Sequence, residues 1–195
     1  NSMTTQVDRA YGFRPVTKRG EPYCGSERAV IFDSGDATAA FVGSLVKFTG
    51  TSVLKDGKYY SVVTIASAGD SIAGAVTRFS PDNDTYLSYR PASTERLAYI
   101  PQDRDVLYSA QEDQDTSSLA VTSVGLNVDF TAESGDTVTG QSTMEIDSDT
   151  AATTNTLSLR LVEVQGIDGN TVGSGNYTQW LVSTNLDPYS NTTGV

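Results

Sequence analysis

The stretch SLVKFTGTSVLKDGKYYSVVTIA, residues 44–66, decides the fold class. Lys55-Asp56-Gly57-Lys58 is a hairpin signal, because Asp-Gly tolerates the left-handed backbone of a two-residue β-turn. The run after it, YYSVVTIA (59–66), is dense in aromatic and β-branched side chains, which suit a pleated, half-buried surface. Before the turn, SLVKF (44–48) has the same character and is expected to end at Thr49-Gly50.

The same pattern extends in both directions. AVIF (29–32) precedes the turn DSGD, and IAGAVTRF (72–79) ends at Ser80-Pro81. DNDT (82–85) supplies a turn before YLSYRP (86–91), and RLAYI (96–100) stops at Pro101. DVLYSAQ (105–111) alternates polar and apolar positions, and LNVDFT (126–131) puts Leu126, Val128 and Phe130 on one face. MEI (144–146), TLSLRLVEV (156–164) and TQWLVST (178–184) complete roughly ten short strands. A brief helical turn is expected within SLAVTSVG (118–125). No long segment has a 3.6-residue period, and no repeat recurs at a fixed spacing. The expectation is an all-β protein, a β-sandwich (jelly-roll-like) or a small β-barrel.

Residues 1–28 differ from this body, which spans 29–195. Gly12, Pro15, Gly20, Pro22 and Gly25 are spaced too closely for a helix or a central strand. Yet Tyr11, Phe13, Val16 and Tyr23 are apolar enough to need burial, unlike a disordered polar tail. Two readings stand. One is an extended N-terminal arm that docks on another surface and reaches on the order of 90 Å when fully stretched. The other is a first β-strand folded onto its own domain.

Composition excludes much chemistry. The chain has 195 residues, one Cys and no His. Without His there is no His-dependent triad and no imidazole ligand, and Cys24 alone forms neither an intrachain disulfide nor a Cys-based zinc site. Cys24 is expected to be a small buried or interfacial residue. No apolar run approaches a bilayer span, and the opening NSMTTQVDRA, with Asn1-Ser2 ahead of Met3, lacks the apolar core of a secretory leader. The net charge of −11 is uneven: residues 1–104 carry 12 basic and 11 acidic groups, residues 105–195 only Arg160 against 13 acids. Such an acidic half disfavours nucleic acid as a partner.

The Asp clusters at 33–36, 82–85 and 147–150 evoke calcium, but none continues to the Gly and terminal Glu of an EF-hand loop. Asp and Ser bonding their own backbone at turns explains them more simply. Trp180 sits alone in an alternating run and is expected in a core or an interface. The stretch GIDGNTVGSGN (166–176) lacks the Lys-Ser/Thr ending of a phosphate loop. With 24 acids in the chain, carboxylate pairs arise by chance. Neither an enzyme nor a cofactor is expected.

A resemblance runs along nearly the whole chain. Arg9-Ala10-Tyr11-Gly12-Phe13-Arg14-Pro15-Val16 resembles the N-terminal R-P-x-G-L-R-P-V signature of a family of tailed-phage capsid decoration, or cement, proteins, with Tyr11 where that family has Pro. Phe41-Val42-Gly43 with Leu45-Val46 resembles its F-V-G-D-P-V stretch. Ser67 to Val76 resembles A-G-D-x-I-x-G-V-V. Gln111-Glu112-Asp113 and Val124-Gly125-Leu126-Asn127 are similar to Q-E-D and V-G-x-N, and Ser142–Arg160 resembles S-x-x-E-L-D-S-S-T-A-A-T-T-x-T-L-x-L-R. The series continues in order to about Leu181.

The resemblance implies a non-catalytic virion protein, made in the bacterial cytoplasm and bound outside the capsid, where it bridges capsomers. The implied partners are the major capsid protein and further copies of the chain, with a trimer favoured over a dimer by analogy. The arm would dock through Tyr11, Phe13, Arg14, Pro15 and Tyr23, so deleting residues 1–25 should leave a folded body that no longer binds capsids. A tail or receptor-binding component and a secreted carbohydrate-binding β-sandwich remain the alternatives. Neither nucleic acid nor membrane is an expected partner.

Overall fold

The computed structural model describes residues 6–81 and 86–190. Asn1-Ser2 and the DNDT turn lie outside the described residues. The chain is all-β. In order the strands are β1 (Arg14–Lys18), β2 (Glu21–Pro22), β3 (Glu27–Phe32), β4 (Leu45–Lys55), β5 (Lys58–Ile65), β6 (Gly74–Ala75) and β7 (Arg78–Phe79). There follow β8 (Arg96–Pro101), β9 (Val106–Gln111), β10 (Asn127–Phe130), β11 (Ile146–Ala152), β12 (Leu159–Val164) and β13 (Gln179–Thr184). The expected helical turn is a single 3₁₀ turn at Val121–Ser123.

Two curled sheets result. One runs β11-β10-β12-β13-β9-β1-β2, the other β6-β4-β5-β3-β8-β7. All pairings are antiparallel except β3 with β5. The Asp56-Gly57 turn forms as its chemistry predicts: both residues have positive φ, +50° and +75°, and Lys55 pairs with Lys58. Arg19-Gly20 closes the β1–β2 hairpin in the same way, at +51° and +82°. Strand β4 does not end at Thr49-Gly50. A register shift between Phe48 and Ser52, with Gly50 at φ +83°, absorbs the irregularity as a bulge and the strand continues. Residues 86–91 form no strand, only the Ala40–Arg90 bridge.

Each sheet wraps its own core. The first contains Val106, Tyr108, Val128, Phe130, Ile146, Leu159, Leu161 and Trp180, together with Leu45, Ile72 and Ala75 from the β4–β6 end of the other sheet. The second gathers Val30, Phe32, Val46, Val63, Ala98 and Ile100, and Ile65 packs against both. Full burial of side chains such as these stabilises by about 1.5–3 kcal/mol each. Trp180 thus lies in the core, whereas Cys24 is exposed.

The N-terminal arm requires correction. Phe13 is fully buried in the first core, edge-on to Phe130 at 6.2 Å between ring centroids. Strand β1 pairs with β9, with Arg14 opposite Ser109 and Pro15 opposite Tyr108. Pro15 is tolerated because β2 reaches only to Thr17, which leaves β1 an open edge at Pro15, and a bulge follows it. The second of the two readings is therefore the observed one: residues 13–22 are a folded part of the body. The side chain of Phe13 has its partner within the chain and is not free to dock on another surface.

Two buried arginines consolidate the loops. Arg90 has no solvent exposure and donates to the backbone carbonyls of Thr94, Thr38, Asp33 and Asp36, with its guanidinium 5.2 Å from the Phe32 ring centroid. Arg96 donates to the carbonyls of Ser80 and Tyr89. The Asp33–Asp36 loop is turn chemistry: Asp33 accepts from the Gly35 N–H at 2.7 Å and Asp36 from the Thr38 N–H at 2.9 Å. Asp147 likewise accepts from the Asp149 N–H at 3.2 Å.

Candidate functional site

Alternation along β9 prepares the site. Val106, Tyr108 and Ala110 enter the first core, so Ser109 and Gln111 project from the opposite face. Residues 6–11 cross that face. Gln111 straps them down, accepting from the Arg9 N–H at 2.9 Å and donating to the Val7 carbonyl at 2.9 Å. Gln179 of β13 donates to the Gln6 side chain at 3.2 Å.

Between this strap and the sheet lies an open concavity of about 670 Å³, lined by Arg9, Tyr11, Arg14, Pro15 and Val16, together with Ser109, Gln141, Gln165 and Gln179. Tyr11 is its hub. Its hydroxyl lies 2.7 Å from Ser109 Oγ and 3.1 Å from Gln179 Oε1, while Ser109 donates to Gln165 Oε1 at 2.5 Å. Because Ser109 spends its proton on Gln165, the single Tyr11 proton is shared between Ser109 Oγ and Gln179 Oε1. Burial pushes the Tyr11 phenol up, against the lowering effects of Ser109 and Arg14. The guanidinium of Arg14 covers the Tyr11 ring at 4.8 Å and gives one N–H to Gln141 Oε1 at 3.3 Å.

Many of the basic side chains are matched by a carboxylate. Lys18, Arg19, Lys47, Lys55, Arg78 and Arg104 are each ion-paired with a carboxylate. Arg9 and Arg14 have no ion pair among the described residues, which is also true of Arg28, Lys58 and Arg160, but the two stand together at a concavity with no acidic side chain in its lining. A carboxylate group outside the lining includes Asp8 of the strap. Glu145 Oε1 is buried without a hydrogen-bond partner. Its carboxyl is pushed up to about 7, by burial first and then by Asp8 and Asp113. Asp147 is raised too, by burial and then by Asp113.

Of the residues singled out in the sequence, Tyr11, Arg14 and Pro15 come together here. Phe13 turns inward. Tyr23 packs half-buried against the first core, donating to the Ser26 carbonyl at 3.0 Å, and does not line the concavity. Sequence reasoning missed Ser109, Gln141, Gln165 and Gln179. Each is an ordinary polar residue on a separate element, and only the strand order assembles them.

No family model, no curated protein and no solved structure matches this chain.

Proposed function

We propose that this chain is a non-catalytic virion structural protein, a cement protein that binds the outside of a phage capsid and bridges its capsomers. The observation that carries the reading is the pair of unpaired arginines, Arg9 and Arg14, at an open concavity in a chain of net charge −11. Both belong to the stretch that resembles the decoration-protein signature. The docking surface is then the rim formed by Tyr11, Arg14 and Pro15 with the glutamines behind it. Phe13 acts as the internal anchor that fixes this rim. On a repeating lattice several such contacts per oligomer reinforce one another, and a trimer is the favoured assembly, a dimer the next.

Co-sedimentation with capsids depleted of this protein tests the reading. Saturable binding at hundreds of copies per particle, counted by gel densitometry, supports it. A handful of copies points instead to a tail or receptor-binding component. A carbohydrate-binding role is less favoured, since the Arg14 guanidinium already occupies a face of Tyr11, the one aromatic ring in the lining.

A further inference from the structure

We propose that the concavity holds an extended acidic peptide segment of a protein partner, whose carboxylates are taken by Arg9 and Arg14. This rests on the reading of the concavity as a docking site and names the chemistry of what docks.

The lining leaves several hydrogen-bonding groups uncommitted. The side-chain oxygen of Gln141 accepts from Arg14 and that of Gln165 from Ser109, while that of Gln179 shares the Tyr11 proton with Ser109. What remains open in the lining is therefore mainly donors: the amide N–H groups of Gln141 and Gln165, the Arg9 guanidinium, and the Arg14 N–H groups not given to Gln141. A guanidinium carries five donors in a planar fork that matches a carboxylate two at a time. Ser109, only 4 % exposed, and Tyr11 hold the glutamines in place from behind. A ligand that fits must be rich in acceptors. An extended peptide offers backbone carbonyls to the two amides and side-chain carboxylates to the two arginines.

Long polyanions such as nucleic acid also present acceptors, but they need a broad basic surface. Here two isolated arginines sit in a strongly acidic chain, and Asp8, next to Arg9 in the strap, is close enough to Glu145 to raise its carboxyl. A short acidic segment engages the pair while keeping clear of that repulsion.

Fluorescence anisotropy with a fluorescein-labelled hexaglutamate peptide tests this on the full chain. Saturable binding is expected, with hexaglutamine not binding and free glutarate at least tenfold weaker. The double variant R9Q/R14Q, altered only at exposed positions, should bind hexaglutamate at least tenfold more weakly while keeping the thermal midpoint of the parent. Undiminished binding by the double variant overturns the proposal. So does glutarate binding as tightly as the peptide, which would indicate a small-molecule site, or a labelled dT12 oligonucleotide outcompeting hexaglutamate. Capsid co-sedimentation is scored separately. Capsid binding that survives R9Q/R14Q refutes the acidic-segment proposal and leaves the cement reading standing; hexaglutamate binding without capsid binding does the reverse.

Discussion

The backbone N–H of Phe13 donates to the carbonyl of Gly43 at 2.9 Å, where two loop segments cross at Gly12 and Gly43, both of positive φ. A Cβ on Gly12 would lie 2.8 Å from the Gly43 oxygen and 2.8 Å from Ser142 Cβ, and Gly12 has φ +71°. Both neighbours are too rigid to yield. Gly12→Ala is expected to lower stability by about 2–4 kcal/mol, through steric overlap and left-handed strain together. Urea unfolding followed by Trp180 fluorescence measures it, and a midpoint within error of the parent would contradict this account of the crossing.

Phe13 separates an internal anchor from an external one. Phe13→Ala leaves a cavity beside Phe130 and should cost about 3–5 kcal/mol. Arg14→Gln, at an exposed position, should change stability by under about 0.5 kcal/mol. The reverse ranking in thermal melts would restore Phe13 to a docking role. Deleting residues 1–25 removes Phe13 and β1 together, so the truncated chain is expected to lose cooperative unfolding rather than remain a folded body.

Arg90 stabilises by geometry more than by charge. Its ion-pair distance to Asp36 is a long 3.9 Å, whereas it serves four backbone carbonyls. Arg90→Met removes the donors from four carbonyls of partly buried loops and is expected to cost about 3–5 kcal/mol. Arg90→Lys, with three donors on a point charge, should recover only part of that. Denaturant midpoints at unchanged slope are the measurement. Equal stability of the Lys variant and the parent would show that charge alone suffices.

Glu145 sets a pH dependence. Its carboxyl is raised from an ordinary 4.5 to about 7 in the folded protein, so between those values the native state holds the proton that the unfolded chain releases. Stability from this group is therefore fullest below pH 4.5, declines as pH rises to 7, and is level above that. Glu145→Gln removes the decline. Allowing for solvent screening at a half-buried site, we expect a gain of about 1 kcal/mol at pH 8, or roughly 2–4 °C in Tm. Calorimetry from pH 4 to pH 8 checks it, and parallel profiles for parent and variant would exclude Glu145 as the source.

Legibility in the sequence followed the range of the interaction. The Asp56-Gly57 turn, the β5 run and the one-sided alternation of Val128 and Phe130 are local patterns, and each appears where local chemistry puts it. The bulge that carries β4 past Gly50 depends on its pairing with β5, so glycine alone misplaced the end of that strand. Arg90 and Arg96 are buried because the loop segments at 33–38, 80 and 89–94 converge on them, which no charge count reveals. The concavity was half visible. Tyr11, Arg14 and Pro15 stood out as an aromatic, basic cluster, whereas Ser109, Gln141, Gln165 and Gln179 meet them only through the β13-β9-β1 order.

That order also has a consequence in time. Strand β1 finds its long partner in β9, and β9 is itself flanked by β13; the Arg9 amide bonds to a residue 102 positions later, and Tyr11 to one 168 positions later. At synthesis rates of roughly 5–20 residues per second, Phe13 waits on the order of ten seconds for β9 to be made and longer for β13. Throughout that wait an aromatic side chain and an unpaired strand edge stay open to wrong partners. Non-local pairing of this kind folds slowly. The part of the chain translated before either sheet can form is thus among the last to find its place, and the yield of folded protein is set by how well that interval is survived.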